Sequence, residues 1–427
     1  MQSKINILLN TFSRFWVIFF PIASYYFYRY VGFNQHISKA IYFVALPITF
    51  IYVFSELIKA YRGRLYMGIV RSIFLMMILS MIMSLFFWDQ NLILSYRVTA
   101  SYLAILYFFF LTKTKPNLVF MEKIIWFFCI LYLILWVYGM LKAPDLVFGV
   151  ETEFGINDSR GIFRLSLAGR GFLVVAFFIA ISKFVETSKK YWIVIFSSLF
   201  LVIVMHVTRQ VIAISFIVGL YYLLKKNKYL WLWLGLSVFL SITFINLKVD
   251  SNSIVGKLVT LSENQFEERN SGEENIRIEE YKYFFTQYNK NSWTILFGNG
   301  VPHSESAFGK TELQLNTGKD FYASDVGYAE IYIRFGLLGL LLYGLILYKV
   351  IRQDVPPKYM YAKLFMLYIL ITNITASWIF HDVIVISICL YILETNSKNS
   401  LILKKMRSHE IYHRNSSLQS KLSKRMY

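Results

Sequence analysis

The sequence predicts an all-α fold: a polytopic helical integral membrane protein with about twelve transmembrane helices and one large outer (periplasmic or extracellular) loop. Three observations lead there. Hydrophobic residues make up 57% of the chain and aromatic residues 19%, in runs too long for a soluble core. An apolar run of about 18 residues or more is long enough to cross about 30 Å of hydrocarbon as a helix. The runs are continuous rather than alternating, which selects helices over barrel strands, the other structure that satisfies its backbone in lipid. Finally, lysine and arginine collect in every second loop, as cytoplasmic loops do.

Taken in order, the expected spans are 15–30, 38–57, 72–88, 98–111, 124–141, 172–185, 191–206, 210–224, 229–245, 328–348, 361–375 and 378–393. The first run continues into Tyr28-Arg29-Tyr30 rather than a small-residue cleavage site, so it is expected to stay as a span. With the N-terminus inside, the loops carrying Arg62 and Arg64, Lys113 and Lys115, Lys189 and Lys190, Lys225 to Lys228, and Lys349 with Arg352 all face the cytoplasm. The chain then divides into residues 1–246, holding helices one to nine with a smaller outer loop at 143–171; the large outer loop 247–325; helices ten to twelve in 326–394; and a basic cytoplasmic tail, 395–427. Both termini are thus expected in the cytoplasm.

The net charge of +19 would suggest nucleic acid in a soluble protein. Here the positive-inside rule accounts for it, and no nucleic-acid partner is expected. Cys129 and Cys389 both lie in apolar runs, with no disulfide framework and no metal-ligand spacing. No phosphate-cradling GxxxxGK[ST] or lipase-type GxSxG occurs, and Gly298-Asn299-Gly300 is too short for a dinucleotide signature. No metal and no cofactor is expected.

Polarity gathers in the large loop and at its exit. Within it, 273–288 has helical spacing, with Ile278, Tyr281, Phe285 and Tyr288 on one side. Arg209 sits in a very short outer turn at membrane depth. A cation there is either functional or snorkelling to the headgroups. Arg160, Arg164 and Arg170 precede the sixth span, and each reads singly as a solvated or headgroup-binding residue. Arg277 lies one turn after Glu273 and forms either a surface pair or part of a site. Several outer arginines suit a diphosphate, which guanidinium groups bind in bidentate fashion. At the loop exit, Asp325 reads as a general base or as a capping partner with Ser324. Glu330 and Arg334 read as a mutually neutralising pair one turn apart. His303 reads as a base or as an exposed loop histidine, and His381-Asp382 as a boundary feature of the last span.

Three passages together resemble the O-antigen polymerase (Wzy-type) and O-antigen ligase superfamily of bacterial envelope glycan polymerases. Val207-Thr208-Arg209-Gln210-Val211-Ile212-Ala213 is similar to the family's T-x-S-R passage between two spans. Arg277 through Tyr281 to Phe297-Gly298-Asn299-Gly300 resembles its loop pattern of arginine, aromatic and G-x-G turn. Ser324-Asp325-Val326-Gly327-Tyr328 followed by Phe335-Gly336-Leu337-Leu338-Gly339 resembles its exit motif, and Arg160 with Gly171 fits an R-x10-G spacing. The resemblance implies a membrane glycosyltransferase of polysaccharide biosynthesis in the bacterial cytoplasmic (inner) membrane. Its substrate would be an undecaprenyl-diphosphate-linked oligosaccharide, with membrane lipid, a chain-length regulator and a flippase as partners. Arg209 and Arg277 would grip the donor diphosphate, and Asp325 would stand where ligases carry a histidine. Arg160, Arg164, Arg170, Tyr281, His303, Tyr328 and Glu330 would line the substrate site. The missing exit histidine favours the polymerase over the ligase, which moves finished glycan to a different acceptor. A lipid-linked oligosaccharide flippase is the alternative from another class.

Overall fold

The computed structural model describes residues 2–60, 64–151, 165–206, 208–225 and 276–397. It is all-α apart from a two-stranded ribbon. The expected ninth span, the loop portion 247–275, Arg160, Arg164 and the basic tail from residue 398 onward lie outside the described residues.

The helices begin with α1 (Gln2–Ser24), α2 (Gln35–Ile58), α3 (Met67–Trp88), α4 (Leu92–Leu103), α5 (Leu106–Thr114) and α6 (Leu118–Lys142). A ribbon of β1 (Val150–Glu151) and β2 (Leu165–Ser166), antiparallel, precedes α7 (Arg170–Thr187), α8 (Tyr191–Met205) and α9 (Arg209–Lys225). The loop helices are α10 (Ile276–Thr286), α11 (Ser292–Phe297) and α12 (Ala307–Lys319); α13 (Gly327–Arg352), α14 (Met360–Thr372), the single turn α15 (Trp378–His381) and α16 (Val383–Ser397) complete the chain.

Among the described residues four helices, α2, α3, α6 and α13, are long and apolar enough to cross a membrane. A fifth span results if α4 and α5 count together, since they form one apolar run bent by 50°. The sequence reads that region as a single span, 98–111. The bend arises where Ala104 and Ile105 donate to carbonyls three residues back, at 3.4 and 3.2 Å, tightening the chain into a 3-10 turn.

Burial separates two kinds of helix. From Gly171 to Ser182 every residue of α7 is buried, as expected of a helix apolar all round and enclosed by others; α6, α8, α9 and α14 surround it. By contrast, α2 exposes Val44, Ile48, Ile51 and Phe54, and α6 exposes Ile130, Ile134, Val137 and Leu141. Apolar stripes this extensive on a protein exterior mark contact with another apolar phase, which for helices of this length is lipid.

The longest helix, α13, is broken. Gly336 has φ 72° and ψ −178°, a region that L side chains rarely reach. The break turns the Ile333 and Arg334 carbonyls out of the helical ladder, and the turn after α11 collects them. Asn299 N–H donates to Ile333 O at 2.8 Å and Gly300 N–H to Arg334 O at 3.0 Å. The Asn299 side chain adds a second bond to Ile333 O at 3.1 Å. The two backbones are so close that a Cβ on Gly298 would strike Arg334 O, and one on Gly336 would strike Leu296 O.

From the other side the end of α3 clamps the same turn. Trp88 Nε1 donates to Asn299 Oδ1 at 2.9 Å and the Trp88 ring stacks on Phe308, centroids 4.2 Å apart. The buried Gln90 amide donates to Val301 O at 2.8 Å and to Ser95 at 3.0 Å. Its oxygen accepts from His303 N–H at 2.8 Å and Ser306 at 2.7 Å.

Gly336→Ala and Gly298→Ala should each cost more than about 2 kcal/mol, from disallowed backbone as well as collision. Gly344→Ala, with nothing within 4 Å of the new Cβ, should cost nothing. Thermal unfolding of detergent-purified protein, followed by monodisperse elution, checks this; equal behaviour of all three variants would remove the packing argument.

Candidate functional site

Several of the sequence-selected residues meet at the end of α14 and at the 373–377 connection between α14 and α15. From α10, the Tyr281 hydroxyl donates to Ile374 O at 2.6 Å. From the first turn of α13, Tyr328 donates to Leu370 O at 2.7 Å. Ser377 N–H donates to Ser324 O at 2.9 Å, and the Ser377 hydroxyl donates to the buried Glu330 carboxylate. From α9 the Gln210 amide donates to Thr372 O and accepts from Trp378 Nε1 at 3.4 Å. Arg209, half-buried, opens α9 beside Gln210. Gly327 packs directly on the Asn373 backbone carbonyl, so the loop exit and this turn form one unit.

Arg277 is exposed on the first turn of α10. Its charge acts on two carboxyls, Glu280 and Asp325. Burial raises the Asp325 carboxyl, while Arg277 and the Ser324 hydroxyl pull it down. The spacing of α10 marks Ile278 as inward, but Ile278 is 65% exposed and Phe284 with Glu280 fills the buried face. The reason is the neighbour: Phe284 joins Phe321, Val326, Ala329 and Ile333 in a separate small core between the loop and α13.

Glu330 and Arg334 are both buried, but they are not simply each other's partner. Their closest approach is 3.8 Å. The Arg334 guanidinium instead forks onto Glu312 of α12, with one contact of 2.8 Å and a second shorter one. Tyr288 donates to the same carboxylate at 2.9 Å, and Glu330 is held by Ser377 and by Tyr102 at 3.3 Å. His303 is buried and serves its own turn: Nδ1 accepts from Glu305 N–H at 3.2 Å.

Beside the 373–377 turn lies a cavity of about 480 Å³, within the range of about 300–1,000 Å³ usual for small-molecule sites. Arg170 lines it, stacked over Trp378 with its guanidinium carbon 4.0 Å from the ring centroid, and donates to Thr208 at 2.9 Å. Tyr28, Arg29, Ser166, Tyr132, His206, Thr208, His381 and Asp382 make up the rest of its polar lining. His206 lies between the Val202 carbonyl, 2.7 Å from Nδ1, and the Tyr132 hydroxyl, 2.7 Å from Nε2. Both strands of the ribbon reach the rim through Val150, Leu165 and Ser166.

Of the arginines expected before the sixth span, Arg170 is therefore in the cavity wall. Tyr28 and Tyr132 were invisible to sequence reasoning, because two tyrosines among 31 carry no signal until the fold gathers them. His206, in the same short turn as Arg209, was the one available hint. Among the described residues no three His, Cys, Asp or Glu side chains come together as a metal site.

Comparison with known proteins finds no matching protein-family model and no matching curated protein.

One stability consequence follows from the loop carboxyls. Glu280 is 1% exposed; one oxygen accepts from Tyr322 N–H at 2.8 Å and the other is buried without a partner among the described residues. Burial pushes its pKa from 4.5 up to about 7. The folded state thus binds the proton more tightly than the unfolded state, so stability falls as pH rises from about 4.5 to about 7 and then levels. Glu280→Gln lacks this penalty. The gap in unfolding temperature between variant and wild type should widen across that window; a gap independent of pH would contradict the burial of an ionisable group there.

Proposed function

We propose that this chain is a polysaccharide repeat-unit polymerase of the cytoplasmic membrane, with about twelve spans, cytoplasmic termini and the large loop on the outer face. It would transfer glycan from an undecaprenyl-diphosphate carrier to a sugar hydroxyl of another lipid-linked repeat. One observation carries the reading: residues from the three sequence passages that resemble the polymerase and ligase superfamily bond to the last residues of α14 and the turn that follows, at Leu370, Thr372 and Ile374, beside a polar cavity containing a further arginine.

In the proposed reaction the acceptor hydroxyl oxygen attacks the anomeric carbon, and the bond from that carbon to the diphosphate oxygen breaks. The electron pair leaves on the lipid diphosphate. Arg209, next to Gln210, and Arg277, four residues before Tyr281, would bind this diphosphate and stabilise the charge it gains, an effect of about 3–4 kcal/mol for a single well-aimed donor. Asp325 would hold Arg277 in place. Tyr281 and Tyr328 anchor the walls between which the two substrates are positioned, and positioning supplies much of the rate.

Broken helices favour a second reading, a lipid-linked oligosaccharide flippase, since transporters use the freed backbone groups to coordinate ions and substrate. Here, however, Asn299 and Gly300 take the two carbonyls freed near Gly336. With those groups occupied, the break is better read as a packing joint.

In cells that make the native glycan, Arg209→Ala and Arg277→Ala should each reduce chain extension by about 100-fold or more, while the single-repeat glycan is still made and exported. The glycan ladder on a gel is the readout. Full-length polymer at wild-type level in both variants would reject the arginine–diphosphate mechanism, and loss of the exported single repeat would favour the flippase.

A further inference from the structure

The cavity beside Arg170 has hydrogen-bonding features that phosphate binding alone does not explain. Tyr28 is 5% exposed and lines it, yet its hydroxyl has no hydrogen-bond partner among the described residues. A buried hydroxyl left unpaired costs about 1–3 kcal/mol, so it points to a ligand that supplies the partner. Tyr132 is set up as an acceptor. The carbonyl of Val202 accepts only, so His206 Nδ1 carries the proton, and Nε2 then takes the hydrogen of the Tyr132 hydroxyl. The Tyr132 oxygen keeps its lone pairs for whatever fills the cavity.

Asp382 is the one carboxylate among the described lining residues. It is 4% exposed, and Oδ1 accepts the Gly171 N–H at 3.2 Å, which closes the start of α7. No described group donates to Oδ2. A Cβ on residue 171 would occupy the carboxylate's place, so the glycine there lets the carboxylate sit against the helix end. Donor, acceptor and carboxylate share the cavity lining with the aromatic side chains of Tyr28, Tyr132 and Trp378. That combination suits a sugar ring, whose hydroxyls both donate and accept and whose C–H face is apolar.

We propose that this cavity binds the sugar of the acceptor repeat unit and that Asp382 takes the proton of its attacking hydroxyl. The inference rests on the polymerase reading and deepens it. As the hydroxyl oxygen bonds to the donor's anomeric carbon, its proton passes to Asp382, while the carbon–diphosphate bond breaks and its electron pair leaves with the lipid diphosphate. The proton then returns to water or to the departing diphosphate. The two half-sites adjoin, because Arg170 in the cavity wall bonds Thr208, the residue before Arg209.

The test uses the full chain in cells producing the native glycan, with the polymer ladder and the amount of folded protein as readouts. Asp382→Asn keeps an oxygen for the Gly171 N–H and removes the proton acceptor. Polymer should fall about 100-fold or more at unchanged folded protein, and Asp382→Glu should restore part of it. Tyr28→Phe should lower polymer several-fold. Wild-type polymer from Asp382→Asn, when Arg277→Ala makes none, would overturn the role of Asp382 and leave the polymerase reading standing. If Asp382→Asn fails to fold, Tyr28→Phe decides: wild-type polymer from it would overturn the sugar-binding assignment. Deletion of the whole chain with no change in polymer would instead remove the polymerase reading itself.

Discussion

The break in α13 at Gly336 is the constraint on which the loop end of the molecule depends. A helix broken inside a membrane protein leaves carbonyls that no lipid can satisfy, and each must find a donor. Asn299 and Gly300 provide them, at 2.8 and 3.0 Å. To reach that depth the chain must run backbone against backbone, which Gly298 and Gly336 permit by having no Cβ. Once this contact exists, the segment 299–308 lies against the end of α3, where Trp88 and Gln90 complete its hydrogen bonds. The loop is therefore built into the bundle, with α11 and α12 on either side of the joint.

A second set of interactions fixes the loop laterally. Arg334, two residues before the break, reaches Glu312 of α12 rather than relying on Glu330. A buried ion pair of this kind contributes little net stability, because desolvation offsets the attraction, but removing one partner is costly. Its effect is specificity of placement. It sets which face of α12 meets α13, while Tyr288 ties α10's end to the same carboxylate. Glu330 is thereby left to Ser377 and Tyr102, which carries the loop's position through to the 373–377 turn. The residues proposed to act on substrate flank that turn, so their spacing depends on the same joint.

Much of the architecture was legible in the sequence. Lipid selects continuous apolar helices by length alone, and α2, α3, α6 and α13 lie where the apolar runs predict. The glycine pattern at 298–300 and 336–339 was visible too, although not its meaning: each half looks like an ordinary turn or helix motif until the two are seen bonded together. Periodicity failed on α10 because it assumes that apolar residues face inward. Glu280 and Phe284 occupy that face, because the small core of Phe321, Val326 and Ile333 is what they meet.

The candidate site divides in the same way. Arg209, Arg277 and Asp325 could be singled out locally, since cations and acids beside apolar runs are costly and therefore conspicuous. Asp382 was visible as part of the His381-Asp382 pair, but only as a boundary feature; Tyr28 and Tyr132 could not be singled out, because they come from separate elements and are common residue types with no local anomaly. The sequence by itself determined that the chain is helical, apolar enough for a membrane, and polar chiefly in one loop, because those properties follow from composition and the length of each run. Only the tertiary structure decided which carboxylate Arg334 binds, which backbone closes the break at Gly336, and which side chains share the cavity. Hydrogen bonds and ion pairs are short-range, and residues as far apart in the chain as Tyr102 and Glu330 come within reach only after the helices have packed.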